Sequence, residues 1–184
     1  MCGIAGFCNW GEGWQRNIGR MNERMYHRGP DASGIWVSEG QEVVLGHRRL
    51  SIVDLSPSGA QPMMSHNGRY VMSYNGEVYN YKVIRERLLA EHKVTAFRGT
   101  SDTEVLLEAV SAYGLDQTLA MAKGMFAMAV YDKEERVLLL ARDRVGEKPL
   151  YYGFVRGDTF VFASDLNAIA ALDGFDNGLH TEVL

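Results

Sequence analysis

The chain has 184 residues, enough for one domain with a real core and too few for two comfortable ones. It is 46% hydrophobic, 10% aromatic and 23% charged, which excludes a disordered chain. Nineteen basic against 23 acidic residues give a net charge of −4, which offers no footprint for nucleic acid or an anionic membrane surface, and no stretch approaches the ~18 apolar residues of a membrane span.

The chain opens on Met1-Cys2-Gly3-Ile4. An initiator methionine is normally removed before a small residue, which would leave Cys2 with a thiol and a free α-amine, a nucleophile and a base on one residue. An α-amine titrates near ~7.7–8.0 and a thiol near ~8.5, so the amine can take the thiol proton without a histidine. A bridge between Cys2 and Cys8 would consume that nucleophile and staple little, so a reduced cytoplasm and no secretory leader are expected. Residues 2–10 alternate small and bulky apolar side chains, predicting a strand buried on one face and closely approached on the other. Ile18, Met21 and Met25 predict a short helix ended by Gly29-Pro30. Ile35-Trp36-Val37 and Val43-Val44-Leu45 predict an antiparallel hairpin whose second strand can continue through Val53, and residues 54–68 read as a loop.

Residues 70–74 predict a strand running into Asn75-Gly76-Glu77 at a strand-to-loop corner, followed by a helix marked by Tyr79, Val83, Leu88 and Leu89. Ser101-Asp102-Thr103-Glu104 is a capping box, with the Ser101 hydroxyl accepting from the Glu104 amide and the Glu104 carboxylate reaching back. The helix it starts carries Val105, Leu106, Ala109, Val110 and Tyr113 and stops at Gly114. Residues 125–131, 137–141, 150–154 and 159–163 predict antiparallel strands; the first two are apolar on both faces, which places them between a second sheet and a helical layer. Ser164-Asp165 caps a last helix through Leu166, Ile169 and Leu172, so the domain is 2–172, with 173–184 a tail or the start of a linker.

Asn75-Gly76 reads two ways: as a plain turn, or as an oxyanion hole made of an Asn amide and a Gly backbone N–H, where no Cβ obstructs a tetrahedral intermediate. Arg49 is a solvated charge or a bidentate holder of a substrate carboxylate. Asp102 and Glu77 either complement a helix dipole and the solvent or receive an ammonium group. Arg156-Gly157-Asp158 is a hairpin turn, Lys148 a structural or domain-interface charge, and the five histidines lack ligand spacing, so no metal site is proposed.

Six ordered motifs, Met1-Cys2-Gly3-Ile4-Ala5-Gly6, His27-Arg28-Gly29-Pro30-Asp31, the stretch 46–54, Tyr74-Asn75-Gly76-Glu77, Ser101-Asp102-Thr103-Glu104 and the stretch 141–152, resemble the glutaminase domain of class II glutamine amidotransferases, nearest to that of glutamine-hydrolysing asparagine synthetases. The resemblance implies an α+β fold, a four-layer αββα sandwich of two antiparallel sheets between helical layers (the N-terminal-nucleophile hydrolase fold). It implies Cys2 as nucleophile through its own amine, Asn75 and Gly76 as oxyanion hole, Arg49 on the glutamine α-carboxylate, and Asp102 with Glu77 on its α-ammonium. Leu50, Ser51, Ile52 and Val53 would line the pocket beside Arg49, while Arg28 would steady the nucleophile's strand without touching glutamine. The partners implied are glutamine and a carboxy-terminal synthetase domain or separate synthetase subunit. ATP and Mg²⁺ are expected only there, because the pyrophosphate loop Ser-Gly-Gly-x-Asp-Ser does not occur in these 184 residues. A catalytically idle glutamine-binding domain, another amide substrate, and a sugar-acid or other carboxylate acceptor stay open.

Overall fold

The computed structural model describes residues 1–51 and 57–176. Among these the strands are β1 (Gly3–Cys8), β2 (Ala32–Val37), β3 (Val43–Arg49), β4 (Met63–Met64), β5 (Tyr70–Val78), β6 (Gly124–Asp132), β7 (Val137–Arg142), β8 (Tyr151–Val155) and β9 (Thr159–Ala163). The helices are α1 (Trp14–Arg24), α2 (Tyr81–Ala90), α3 (Asp102–Tyr113), α4 (Leu115–Met121) and α5 (Leu166–Ala170). One sheet runs β2-β3-β1-β9-β8 and the other β4-β5-β6-β7, with antiparallel pairing throughout. The two stack face to face with α1 and α5 outside the first and α3, flanked by α2 and α4, outside the second, which is the expected αββα order.

Strand periodicity builds these layers. Along β1, Ala5 and Phe7 face α1 and α5 while Ile4 faces the other sheet, sharing a cluster with Leu45 and Phe162 of its own sheet and Val71, Ala127 and Ala129 of the other. A Cβ on Gly6 would lie 2.5 Å from both Phe162 Cζ on β9 and the Val44 carbonyl on β3, so only glycine fits between these two neighbouring strands. The predicted stripe Ile18, Met21 and Met25 is fully buried against this sheet. Among the described residues, polar links between strands cross the sandwich at His47, whose Nε2 donates to the Tyr74 carbonyl at 3.1 Å, and at Ser73, whose Oγ donates to the Gly46 carbonyl at 3.4 Å. They fix the end of β3 over the middle of β5.

Several expectations need correcting. The strand that was to end at Tyr74 runs on to Val78, because Asn75 and Gly76 pair with Ala127 and Phe126 of β6. In α2 the core face is Ile84 and Leu88, whereas Tyr79, Val83 and Leu89 are exposed. The capping box is half formed: Ser101 Oγ accepts from the Glu104 amide at 3.3 Å, but the Glu104 carboxylate turns to the amides of Arg98 (2.8 Å) and Gly99 (2.9 Å) and to His66 Nε2 (2.8 Å). Asp165 caps α5, while Ser164 Oγ accepts from the Ile4 amide at 3.0 Å. Of the two strands expected to be covered on both faces, β6 is, but β7 is an edge strand and stays partly exposed. Helix α4 and the short β4 went unpredicted. At the start of the expected tail, Asp173 pairs with Arg16 and Arg20, and Phe175 packs beside α1; residues 177–184 lie outside the described residues.

Candidate active site

Antiparallel pairing of Gly3 with Arg48 sets Cys2 beside the end of β3, and the cross-sheet links bring that corner over β5. Between them lies a cleft of about 220 Å³, lined among others by Cys2, Arg49, Asn75, Gly76, Glu77 and Asp102. The Cys2 Sγ donates to the Leu50 carbonyl at 3.6 Å and receives the Leu50 amide at 3.4 Å, so one backbone unit orients the thiol. Burial pushes the thiol's proton affinity up. The Leu50 amide, the positive amino terminus and Arg49 pull it back, and the Asp102 charge adds to the rise.

Behind the nucleophile, Arg28 Nε donates to the Cys2 carbonyl at 3.2 Å, and its buried Nη2 has no partner among the described residues. Leu50 and Ser51 line the cleft; Asp31 anchors this segment, its amide donating to the Arg49 carbonyl at 3.0 Å and its carboxylate accepting from the Ser51 amide at 2.7 Å. Ile52 and Val53 lie outside the described residues.

On the far wall, Asn75 is buried and its Nδ2 has no hydrogen-bond acceptor among the described residues. The plain-turn reading of Asn75-Gly76 fails because both residues lie inside the β5–β6 ladder. A Cβ on Gly76 would sit 2.4 Å from the Met125 carbonyl, so this backbone admits glycine only. Asp102, the first residue of α3, is buried at the cleft floor, where Oδ2 accepts from the Tyr74 hydroxyl at 3.0 Å and the Val78 amide at 2.9 Å. Burial raises its proton affinity against those bonds, and the neighbouring Glu77 raises it further. Glu77 itself is exposed.

Several cleft-lining residues were missed, Tyr74, Gln61 and Lys148 among them. Tyr74 directly precedes a recognised pair. Gln61, whose Oε1 accepts from the Tyr74 amide at 2.7 Å, had no local signal. Lys148, expected to be structural or interfacial, is 6% exposed, lines the cleft, and sets Nζ 3.3 Å from Met1 Sδ. Five backbone amides converge on the Asp143 carboxylate, those of Phe126, Val145, Gly146, Glu147 and Lys148, and this turn carries Lys148 inward. Among the described residues no three His, Cys, Asp or Glu side chains gather as metal ligands, and no helix is long and apolar enough to cross a membrane.

The family model described as "Glutamine amidotransferase domain" matches residues 1–184. The chain is 38% identical over 177 residues to asparagine synthetase (glutamine-hydrolysing) 3 of Bacillus subtilis, covering 93% of this chain and 28% of that protein. Against asparagine synthetase B (glutamine-hydrolysing) of Escherichia coli it is 38% identical over 149 residues, covering 81% and 26%. Against the amidase chry2 of Gibberella zeae it is 41% identical over 145 residues, covering 79% and 21%. It thus spans less than a third of the length of these relatives. Among solved structures, the glutamine phosphoribosylpyrophosphate amidotransferase of Bacillus subtilis, complexed with ADP and GMP, shares the fold at TM-score 0.77 and 24% identity, covering 92% of this chain and 43% of that one.

Proposed function

Because the chain belongs to the glutamine amidotransferase domain family, we propose that its cleft hydrolyses the side-chain amide of glutamine through Cys2. With Met1 attached, the Cys2 nitrogen is a peptide amide; the form that begins at Cys2 supplies the free amine as base. The amine takes the thiol proton, sulfur bonds to the γ-carbonyl carbon, and the oxygen becomes an anion. That oxyanion is received by Asn75 Nδ2 and the Gly76 N–H. As the intermediate collapses, the C–N bond breaks and the amine's proton goes to the departing ammonia. Water then attacks the thioester carbon, releasing glutamate and restoring the thiol.

The observation that carries this reading is the buried Asn75 Nδ2, without an acceptor among the described residues, in the same cleft as the Cys2 thiol, a donor held ready for charge that arises only during reaction. On this reading Arg49 binds the α-carboxylate of glutamine, Asp102 and Glu77 bind its α-ammonium, Leu50 to Val53 complete the wall, and Arg28 holds the Cys2 backbone. The ammonia passes to a synthetase domain or subunit; the Bacillus subtilis and Escherichia coli relatives are named asparagine synthetases, and on the family resemblance the acceptor is aspartate and ATP and Mg²⁺ belong to that partner. The cytoplasm is the compartment we assign, supported by the free thiols of Cys2 and Cys8.

The test is glutamate and ammonia release by protein verified by mass to begin at Cys2. Cys2→Ala should remove turnover, and so should a blocked α-amine. A mature chain that binds glutamine without releasing glutamate would establish the idle binding domain instead.

A further inference from the structure

Tyr74 is gripped at three points. Its amide donates to Gln61 Oε1 at 2.7 Å, its carbonyl accepts from His47 Nε2 at 3.1 Å, and its hydroxyl donates to Asp102 Oδ2 at 3.0 Å. The ring is fully buried in the cluster beneath α3, yet the residue borders the cleft immediately before Asn75. A buried tyrosine hydroxyl needs an acceptor, and aromatic packing alone would have been met by phenylalanine.

We infer that Tyr74 is a positioning residue for substrate binding, its hydroxyl fixing the Asp102 carboxylate so that it can receive a substrate ammonium group. This rests on the glutamine reading above. One carboxylate oxygen takes both the Tyr74 hydroxyl and the Val78 amide, which locks the rotation of the group. The carboxylate is buried, and burial favours its neutral, non-binding form. A hydroxyl donated to the ionised form works against that, and Tyr74 stays a donor because burial and Asp102 hold its own proton affinity well above the usual phenol range. The other charged groups near Asp102 are Glu77 on β5, Cys2 before β1, Arg49 at the end of β3 and Lys148 in the turn after β7. Glu77 opposes ionisation of Asp102, and none of the others bonds Asp102 directly, which leaves the Tyr74 hydroxyl as its one side-chain donor among the described residues.

The test is Tyr74→Phe, which keeps the ring and removes the hydroxyl. Titration of the Asp102 carboxyl carbon by NMR, without glutamine, should show its midpoint rise by about one pH unit. In steady-state hydrolysis KM for glutamine should rise about tenfold with kcat within about twofold, and the acid limb of kcat/KM should move to higher pH. In an Asp102→Asn background, Tyr74→Phe should change KM no further. An unmoved Asp102 midpoint, or a moved midpoint with unchanged KM, overturns the assignment. If the parent protein releases no glutamate, the glutamine reading falls and the NMR titration alone decides whether Tyr74 governs Asp102.

Discussion

Asn75 presents the cleft with a buried amide hydrogen-bond donor that meets no acceptor among the described residues, a state that costs about 1–3 kcal/mol when nothing arrives to relieve it. A catalytic site can carry that cost if the missing partner is the oxyanion. Asn75→Ala should then lower kcat for glutamine hydrolysis by about 10²–10³ with KM changed less than about threefold, in steady-state assays. A loss confined to KM would assign Asn75 to ground-state binding instead. At this scale the sequence was highly legible. Cys2, Arg49, Leu50, Ser51, Asn75, Gly76, Glu77 and Asp102 all come to one cleft, and each sits in a short motif. Gln61 and Lys148 were not legible as cleft residues: the first gets there through its bond to the Tyr74 amide, the second through a turn folded around Asp143, and both contacts exist only in the tertiary structure.

At the scale of elements, β5 and β6 decide what Asn-Gly means. The pair is a strong local turn signal, but nine residues of β5 pair in register with β6 and hold it extended. The same ladder leaves no space at Gly76, where the obstruction is the Met125 carbonyl rather than a movable side-chain end. Gly76→Ala should destabilise the domain by about 1–3 kcal/mol, read as a fall in Tm of roughly 2–10 °C by calorimetry, and should abolish turnover by shifting the oxyanion wall. Unchanged Tm and activity would mean that the ladder yields there. The end of α2 misled for a related reason. Its apolar residues outnumber its core positions, and only packing against α3 selects Ile84 and Leu88.

Across the whole molecule, the layer order was readable because residues 126–132 on β6 are buried on both faces, and a strand of that kind needs a sheet on one side and helices on the other. What the sequence did not show is how the sheets lock together. His47, fully buried, spans them, and burial above all holds its imidazole neutral down to about pH 4, with Arg49 and Arg48 acting in the same direction. An unfolded histidine takes up its proton near ~6.5, so the stability this group supplies is whole above that pH and is lost as pH falls towards 4, by up to about 3 kcal/mol. Urea unfolding at pH 7 and pH 4.5 should show that loss, and His47→Gln should flatten it; an equal slope in the variant would assign the acid sensitivity to other groups. This cross-sheet lock holds the Cys2 thiol of one sheet against the Asn75 amide donor of the other. The most direct measurement is rapid acid quench of the mature chain during turnover with glutamine, followed by mass analysis of its amino-terminal peptide. A γ-glutamyl group on the Cys2 sulfur that forms and decays at the rate of glutamate release is the predicted result. Glutamate released at full rate with that sulfur never acylated would contradict the account.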